Sequence, residues 1–186
     1  MERREIVISG SGGQGVVLGG IILAEAAAIY DGANATHNQS YGPEARGGAS
    51  KSEVIISDKG IHYPEIERPD ILVALTQEAA DKYGASIKPE GILIVDSGVR
   101  VDKALGTKAK VYSLPIVDTA VNELGTELVI NMVTLGALAA ITKIVSKDSL
   151  EKAVLGRIPK GTEDLNKKAL AQGFALAAER GGSVWQ

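Results

Sequence analysis

The chain has 186 residues, of which 45% are hydrophobic and 4% aromatic, and its formal net charge is −3 at pH 7. That length is enough for one sizeable core, while the slight negative charge and the few aromatic rings exclude a general nucleic-acid or anionic-membrane binder. Cysteine is absent, which excludes disulfides and thiolate ligands for iron–sulfur clusters or zinc. No signal-like segment follows Met1, so we expect one cytoplasmic domain over residues 1–186, with no nucleic-acid or membrane partner and a flexible tail over 181–186.

Alternating strand and helix patterns run along most of the chain. Short apolar or alternating runs predict strands over residues 5–9, 33–38, 52–57, 71–75, 92–95 and 110–113. Longer runs predict helices over residues 16–30, 77–86, 119–124, 128–145, 147–155 and 163–180. This order predicts an α/β fold: a doubly wound, mostly parallel Rossmann-like sheet with extra C-terminal helices. The last two helices could form an added lobe.

The predicted helix over residues 128–145 is apolar on nearly all sides. It is at the short end for a membrane span and contains Asn131, Thr134 and Lys143. A helix of this kind is typically buried on two faces. We therefore expect one face to meet the sheet and the other to meet a partner subunit, or a second copy when the chain is alone.

The first candidate site is the glycine turn, residues 10–15, which reads GSGGQG between the first strand and the first helix. In this G-x-G-x-x-G pattern the first glycine allows a tight turn, the second lets phosphates approach the backbone, and the third lets the helix pack. A dinucleotide site also needs a carboxylate after the second strand. Asp31 falls before that strand, and residues 36–39 supply no carboxylate. Three interpretations remain open: NAD(P) binding, a purely structural turn, or a site for another phosphate-bearing ligand or a partner's cofactor.

The second candidate site is the loop over residues 40–48, which reads SYGPEARGG. It follows the second strand, so it lies at the carboxyl edge of the sheet together with the glycine turn, where open α/β sheets bind ligands. Arg46 offers a planar donor fork for a phosphate or carboxylate, and Tyr41 offers a ring and a hydroxyl. A local Glu44–Arg46 pair in a solvated turn is the alternative.

The two histidines of the chain, His37 and His62, have no companions at metal-ligand spacing. We interpret both as ordinary surface or turn histidines and expect no metal site.

Four segments in this order resemble one family: GSGGQGVVLGGIILAEAA, SYGPEARGGASKSEVIIS, PDILVALTQEAADKY and NMVTLGALAAIT. They are similar to the gamma subunit of 2-oxoacid:ferredoxin oxidoreductases, over about residues 4–178. The Y-G-P-E-x-R-G-G form of the second loop looks most like the 2-oxoglutarate enzymes, with 2-oxoisovalerate enzymes second and pyruvate enzymes as a further alternative. The gamma chain need not contact the substrate, so this is an association and not a mechanism.

The resemblance implies a holoenzyme that decarboxylates a 2-oxoacid on thiamine diphosphate, passes two electrons through [4Fe–4S] clusters to ferredoxin, and releases an acyl-coenzyme A. Alpha and beta subunits would hold thiamine diphosphate and Mg²⁺, and a ferredoxin-like delta subunit would hold clusters. The gamma chain would hold none of these and would be inactive alone. The gamma chain would instead be associated with the access of coenzyme A, the co-substrate, to the active-site region.

The same resemblance assigns cofactor-binding positions but no catalytic residue. They are Gly10, Gly12, Gly13, Gln14, Gly15, Tyr41, Gly42, Pro43, Glu44, Arg46, Gly47, Gly48 and Asn131. A stand-alone NAD-linked dehydrogenase and a non-catalytic assembly subunit that contacts neither coenzyme A nor thiamine diphosphate are the rival interpretations.

Overall fold

The computed structural model describes residues 2–40, 49–102 and 108–179. Within them one sheet has the strand order β2-β3-β1-β4-β5-β6. Its strands are β1 Arg4–Ser11, β2 Asn34–Ser40, β3 Ala49–Ser57, β4 Ile71–Ala74, β5 Ile92–Asp96 and β6 Lys110–Leu114. Every predicted strand is present, and β3 begins three residues before its predicted start.

The sheet is mostly parallel, as predicted, with one reversed strand. β1, β4, β5 and β6 pair in parallel, whereas β3 is antiparallel to both of its neighbours, β1 and β2. All four residues of β4 are buried, which is typical of a parallel strand covered on both faces.

Helices cover both faces of the sheet. They are α1 Val16–Glu25, continued by a π-helical turn Ala26–Tyr30; α2 Gln77–Tyr83; α3 Ile116–Asp118, continued by a π-helical turn Thr119–Glu123; α4 Ile130–Thr142; α5 Lys147–Arg157; and α6 Glu163–Glu179. α1 packs on β1, β2 and β3, and α2 packs on β1 and β4. Alternate residues of β1 enter separate cores: Ile6 and Ile8 join one, and Val7 joins the other. The predicted doubly wound architecture is confirmed.

The long apolar helix is buried inside this chain. Every residue from Ile130 to Ala139 is buried, because α6 lies along α4 and closes its second face. Our expectation that a partner subunit covers that face is therefore wrong for these residues. The expected added lobe is wrong as well, since buried residues of α5 and α6 belong to the same core as α1 and α4. No helix among the described residues has the length and apolarity to cross a membrane.

The contact between α4 and α6 is made through glycine. A Cβ on Gly136 would overlap the Leu170 carbonyl oxygen, and a Cβ on Gly173 would overlap the Val133 carbonyl oxygen. The two backbones therefore touch where neither helix has a side chain, and any side chain there must push them apart.

We expect Gly136→Ala to lower the free energy of unfolding by at least about 2 kcal/mol, the scale of an overpacked core. Gly156→Ala is the matched control: the residue lies on the exposed side of α5, where a Cβ would meet only the Tyr30 hydroxyl, at 4.0 Å, among the described residues. The substitution should stabilise by about 0.5–1 kcal/mol through helix propensity. Urea unfolding of the two variants measures both values. Equal effects of the two substitutions would contradict the close approach.

Candidate functional site

The glycine turn lies at the switch point of the sheet. β1 and β4 are parallel neighbours, but the chain leaves β1 for α1 on one face and β4 for α2 on the other. A crevice between the carboxyl ends of two such strands is where open α/β folds bind ligands. The turn therefore has the position that its spacing predicts.

Two residues of the turn have left-handed backbone: Gly13 has φ 95° and Gly15 has φ 68°. Gln14 folds back across the turn, because its Oε1 accepts a hydrogen bond from the Ser11 N–H at 2.8 Å. A Cβ on Gly10 would overlap that Oε1 atom. Gly10 thus leaves room for a side chain that holds the turn closed, which explains why the tight turn needs glycine there.

The N-terminus of α1 is open. Gly15 provides no side-chain cap, and the first turn contains no acidic residue. The first N–H groups of a helix have no acceptor within the helix and favour an anion. By contrast, α2 is capped by Thr76 and α5 by Ser146. No atom of the described residues lies within 4 Å of the Gly12 Cβ position, so these residues leave the backbone there open to a ligand.

Asn131 lies directly behind the turn. Its Nδ2 donates to the Gly15 carbonyl oxygen at 3.3 Å, and a Cβ on Gly15 would overlap the Asn131 amide. The side chain is buried, and its Oδ1 has no hydrogen-bond partner among the described residues. The structure therefore joins two elements that are distant in sequence, the start of α1 and the start of α4. Sequence reasoning assigned Asn131 only through the family motif, and no local pattern reveals this contact.

The second candidate loop lies outside the described residues, from Tyr41 to Gly48. Its flanks are described, and both lie at the carboxyl edge: Ala49 pairs with Ser11, and Ser40 pairs with Lys51. The following assignments remain predictions: Tyr41, Gly42, Pro43, Glu44, Arg46, Gly47 and Gly48.

Asp31, the nearest candidate for a ribose-binding carboxylate, lies before β2 at the opposite edge of the sheet. It accepts hydrogen bonds from the Ser146 N–H at 2.8 Å, the Ser146 hydroxyl at 2.8 Å and the Ser149 hydroxyl at 2.7 Å. Burial alone would raise the pKa of Asp31, but these hydrogen bonds outweigh it and lower the pKa below its ordinary value. Asp31 therefore anchors the N-terminus of α5 and is not placed to hold a ribose at the glycine turn.

A cleft of about 620 Å³ opens at the same opposite edge. Its lining includes Asp31, Lys143, Lys147 and Phe174. The Asp31 carboxylate already accepts hydrogen bonds from the start of α5, and Lys147 lies over the Phe174 ring. This cleft is far from the switch point, and its polar groups do not match the predicted phosphate site.

His37 differs from our expectation of a surface or turn histidine. It lies within β2, is half-buried, and its Nε2 is 2.8 Å from the Ser52 hydroxyl. Ser52 is fully buried beneath Gly20 of α1, where a Cβ would overlap the Ser52 Oγ. Burial lowers the pKa of His37, which favours the neutral ring in this close helix–sheet contact. His62 is exposed, as expected.

The sequence profile of the family described as pyruvate ferredoxin/flavodoxin oxidoreductase matches residues 5–176. The chain belongs to this family. The 2-oxoglutarate synthase subunit KorC of Methanocaldococcus jannaschii is 51% identical to it over 178 residues, 95% of each chain.

Solved structures support the same membership. The keto/oxoacid ferredoxin oxidoreductase gamma subunit of Geobacter sulfurreducens superposes with a TM-score of 0.87 at 48% identity, over 97% of this chain and 99% of that one. The 2-oxoglutarate:ferredoxin oxidoreductase of Magnetococcus marinus, solved with 2-oxoglutarate, coenzyme A and succinyl-CoA bound, superposes with a TM-score of 0.86 at 25% identity. The match covers 96% of this chain but 32% of that chain. The resemblance drawn from the sequence motifs and the expectation of an oxidoreductase subunit are confirmed.

The His37 contact predicts a pH dependence of stability. Because the folded-state pKa lies below the ordinary value of 6.5, the unfolded chain binds the proton more readily, and stability falls as the pH drops through about 6.5. We expect His37→Gln to reduce this loss and His62→Gln, at an exposed position, to leave it unchanged. Urea midpoints between pH 5 and pH 8 measure the effect, and indistinguishable profiles for wild type and His37→Gln would contradict it.

Proposed function

We propose that this chain is the gamma subunit of a 2-oxoglutarate:ferredoxin oxidoreductase. That enzyme converts 2-oxoglutarate, coenzyme A and oxidised ferredoxin into succinyl-CoA, CO₂ and reduced ferredoxin. The observation that carries the proposal is the 51% identity to the KorC subunit across 95% of both chains. The alternatives are that the enzyme acts on 2-oxoisovalerate or on pyruvate instead.

The chain's composition supports a division of labour within the complex. With no cysteine, it cannot ligate an iron–sulfur cluster, and its described residues contain no group of acidic and histidine side chains that could hold a metal. Thiamine diphosphate, Mg²⁺ and the clusters therefore belong, in this proposal, to alpha, beta and delta subunits, and ferredoxin is reached through the complex. No step of the reaction is assigned to residues of this chain.

The contribution of this chain in the proposal is to bind an anionic part of coenzyme A at the glycine turn. The support is the N-terminus of α1, which has no side-chain cap from Gly15, beside a Gly12 that no described residue obstructs, together with the switch-point position. The enzyme of Magnetococcus marinus, solved with coenzyme A bound, contains this fold. Backbone N–H groups would donate hydrogen bonds to phosphate oxygens, and the Arg46 guanidinium of the second loop would add charged donors.

Gly12→Asp tests the turn without disturbing the fold. Gly12 has no left-handed φ, and no described residue blocks its Cβ position, so we expect an aspartate to fit while its charge repels a phosphate. In holoenzyme assembled with its partner subunits, we expect the KM for coenzyme A to rise at least tenfold and the KM for 2-oxoglutarate to stay within twofold. Gly12→Asn, of the same shape without the charge, should give a clearly smaller effect. Unchanged coenzyme A kinetics in Gly12→Asp would favour the assembly-subunit alternative.

Arg46→Ala tests the second loop. If the guanidinium binds an anion of coenzyme A, its loss should cost about 1.5–3 kcal/mol, the scale of a charged hydrogen bond, which is roughly tenfold or more in kcat/KM for coenzyme A. Arg68→Ala, at an exposed position before β4, is the matched control and should leave kcat/KM unchanged. An Arg46→Ala enzyme with wild-type coenzyme A kinetics would support the local Glu44–Arg46 pair. Micromolar NADH binding by the isolated chain would support the dehydrogenase alternative instead.

A further inference from the structure

The Asn131 amide is a buried group that is only half satisfied. The residue is 4% exposed, its Nδ2 makes a long hydrogen bond to the Gly15 carbonyl oxygen, and its buried Oδ1 has no partner in the part of the chain that the structure describes. An unpaired buried polar atom destabilises a fold, whereas an apolar side chain of the same shape avoids that penalty. Folding stability therefore does not explain an asparagine at this position.

The hydrogen bond that Asn131 donates acts on the cap of α1. The Gly15 carbonyl belongs to the same peptide group as the Val16 N–H, and in a trans peptide these two bonds point in opposite directions. The carbonyl accepts from the Gly19 N–H inside the helix at 2.9 Å and from Asn131 Nδ2 behind it. With the carbonyl held from behind, the Val16 N–H points out of the helix end, where an anion would bind.

The position of Asn131 is itself rigid. It lies in the first turn of α4, the helix locked against α6 at Gly136 and Gly173, where backbone meets backbone. Gly15 has no Cβ and a φ of 68°, so the cap can rest directly on the amide. Any side chain at position 15 would collide with Asn131 and strain the left-handed backbone.

We propose that Asn131 is a positioning residue for anion binding: it holds the Gly15 peptide so that the first N–H groups of α1 face the ligand, and it is retained at the expense of folding stability. The inference rests on the proposed function of the glycine turn. It differs from the family-based assignment, in which Asn131 is grouped with cofactor-binding residues, because the amide lies behind the turn and donates its hydrogen bond to a backbone carbonyl.

Asn131→Leu separates the two roles, since leucine has nearly the same branched shape and makes no hydrogen bond. Thr134→Val is the matched control: it removes a buried hydroxyl one turn along α4, whose bond goes to the Ile130 carbonyl at 2.8 Å. In assembled holoenzyme we expect Asn131→Leu to raise the KM for coenzyme A at least fivefold, with kcat and the KM for 2-oxoglutarate within twofold of wild type. Thr134→Val should leave all three unchanged. The Tm of the Asn131→Leu chain should equal or exceed that of wild type.

The outcomes distinguish this inference from the function on which it rests. If Gly12→Asp raises the KM for coenzyme A and Asn131→Leu does not, the turn binds the co-substrate and the positioning role is wrong. If neither variant changes it, the proposed function fails. A large drop in Tm for Asn131→Leu would show that the amide serves the fold, which also contradicts the inference. Asn131→Ala, titrated with coenzyme A at a temperature where it is folded, then tests the binding role separately, and an unchanged KM would contradict it.

Discussion

The contact between Gly15 and Asn131 is the constraint on which the candidate site depends. It requires a residue without a side chain, a left-handed backbone at the helix cap, and an amide brought from α4, far along the chain. Each requirement restricts the others, because a side chain at position 15 would displace α4, and a displaced α4 would release the cap. The open N-terminus of α1 is therefore produced by tertiary packing as well as by the local glycine spacing.

Glycine has the same role elsewhere in this chain, where it allows backbone to approach backbone or a polar side chain. Gly20 admits the Ser52 hydroxyl beneath α1, and the pair Gly136 and Gly173 lets α4 and α6 touch. With aromatic residues at only 4%, the core gains its contacts through short distances and many small aliphatic groups. Such packing tolerates little displacement, which suits a domain whose proposed contribution is a fixed array of backbone donors.

Local patterns predicted the strands and the glycine turn, because hydrophobic periodicity and glycine spacing act over a few positions. They did not predict the reversed direction of β3, since alternation is the same for parallel and antiparallel strands. They also could not identify the partner of the apolar helix: its composition requires cover on two sides, and only the tertiary fold shows that α6 supplies it. His37 was misread although the predicted strand over residues 33–38 contains it, because its contact with Ser52 cannot be inferred from the spacing of the histidines. The site was predictable at the turn, where glycine spacing carries information, and not at Asn131, whose contact crosses more than one hundred residues.

The central claim is that the N-terminus of α1 is a preformed anion site for coenzyme A in the assembled enzyme. Hydrogen exchange of the holoenzyme, followed by mass spectrometry with and without saturating coenzyme A, tests it directly. The account predicts slower exchange in peptides that cover residues 12–19, with no change at β6. Unchanged exchange over residues 12–19 while coenzyme A is bound and turned over would contradict it.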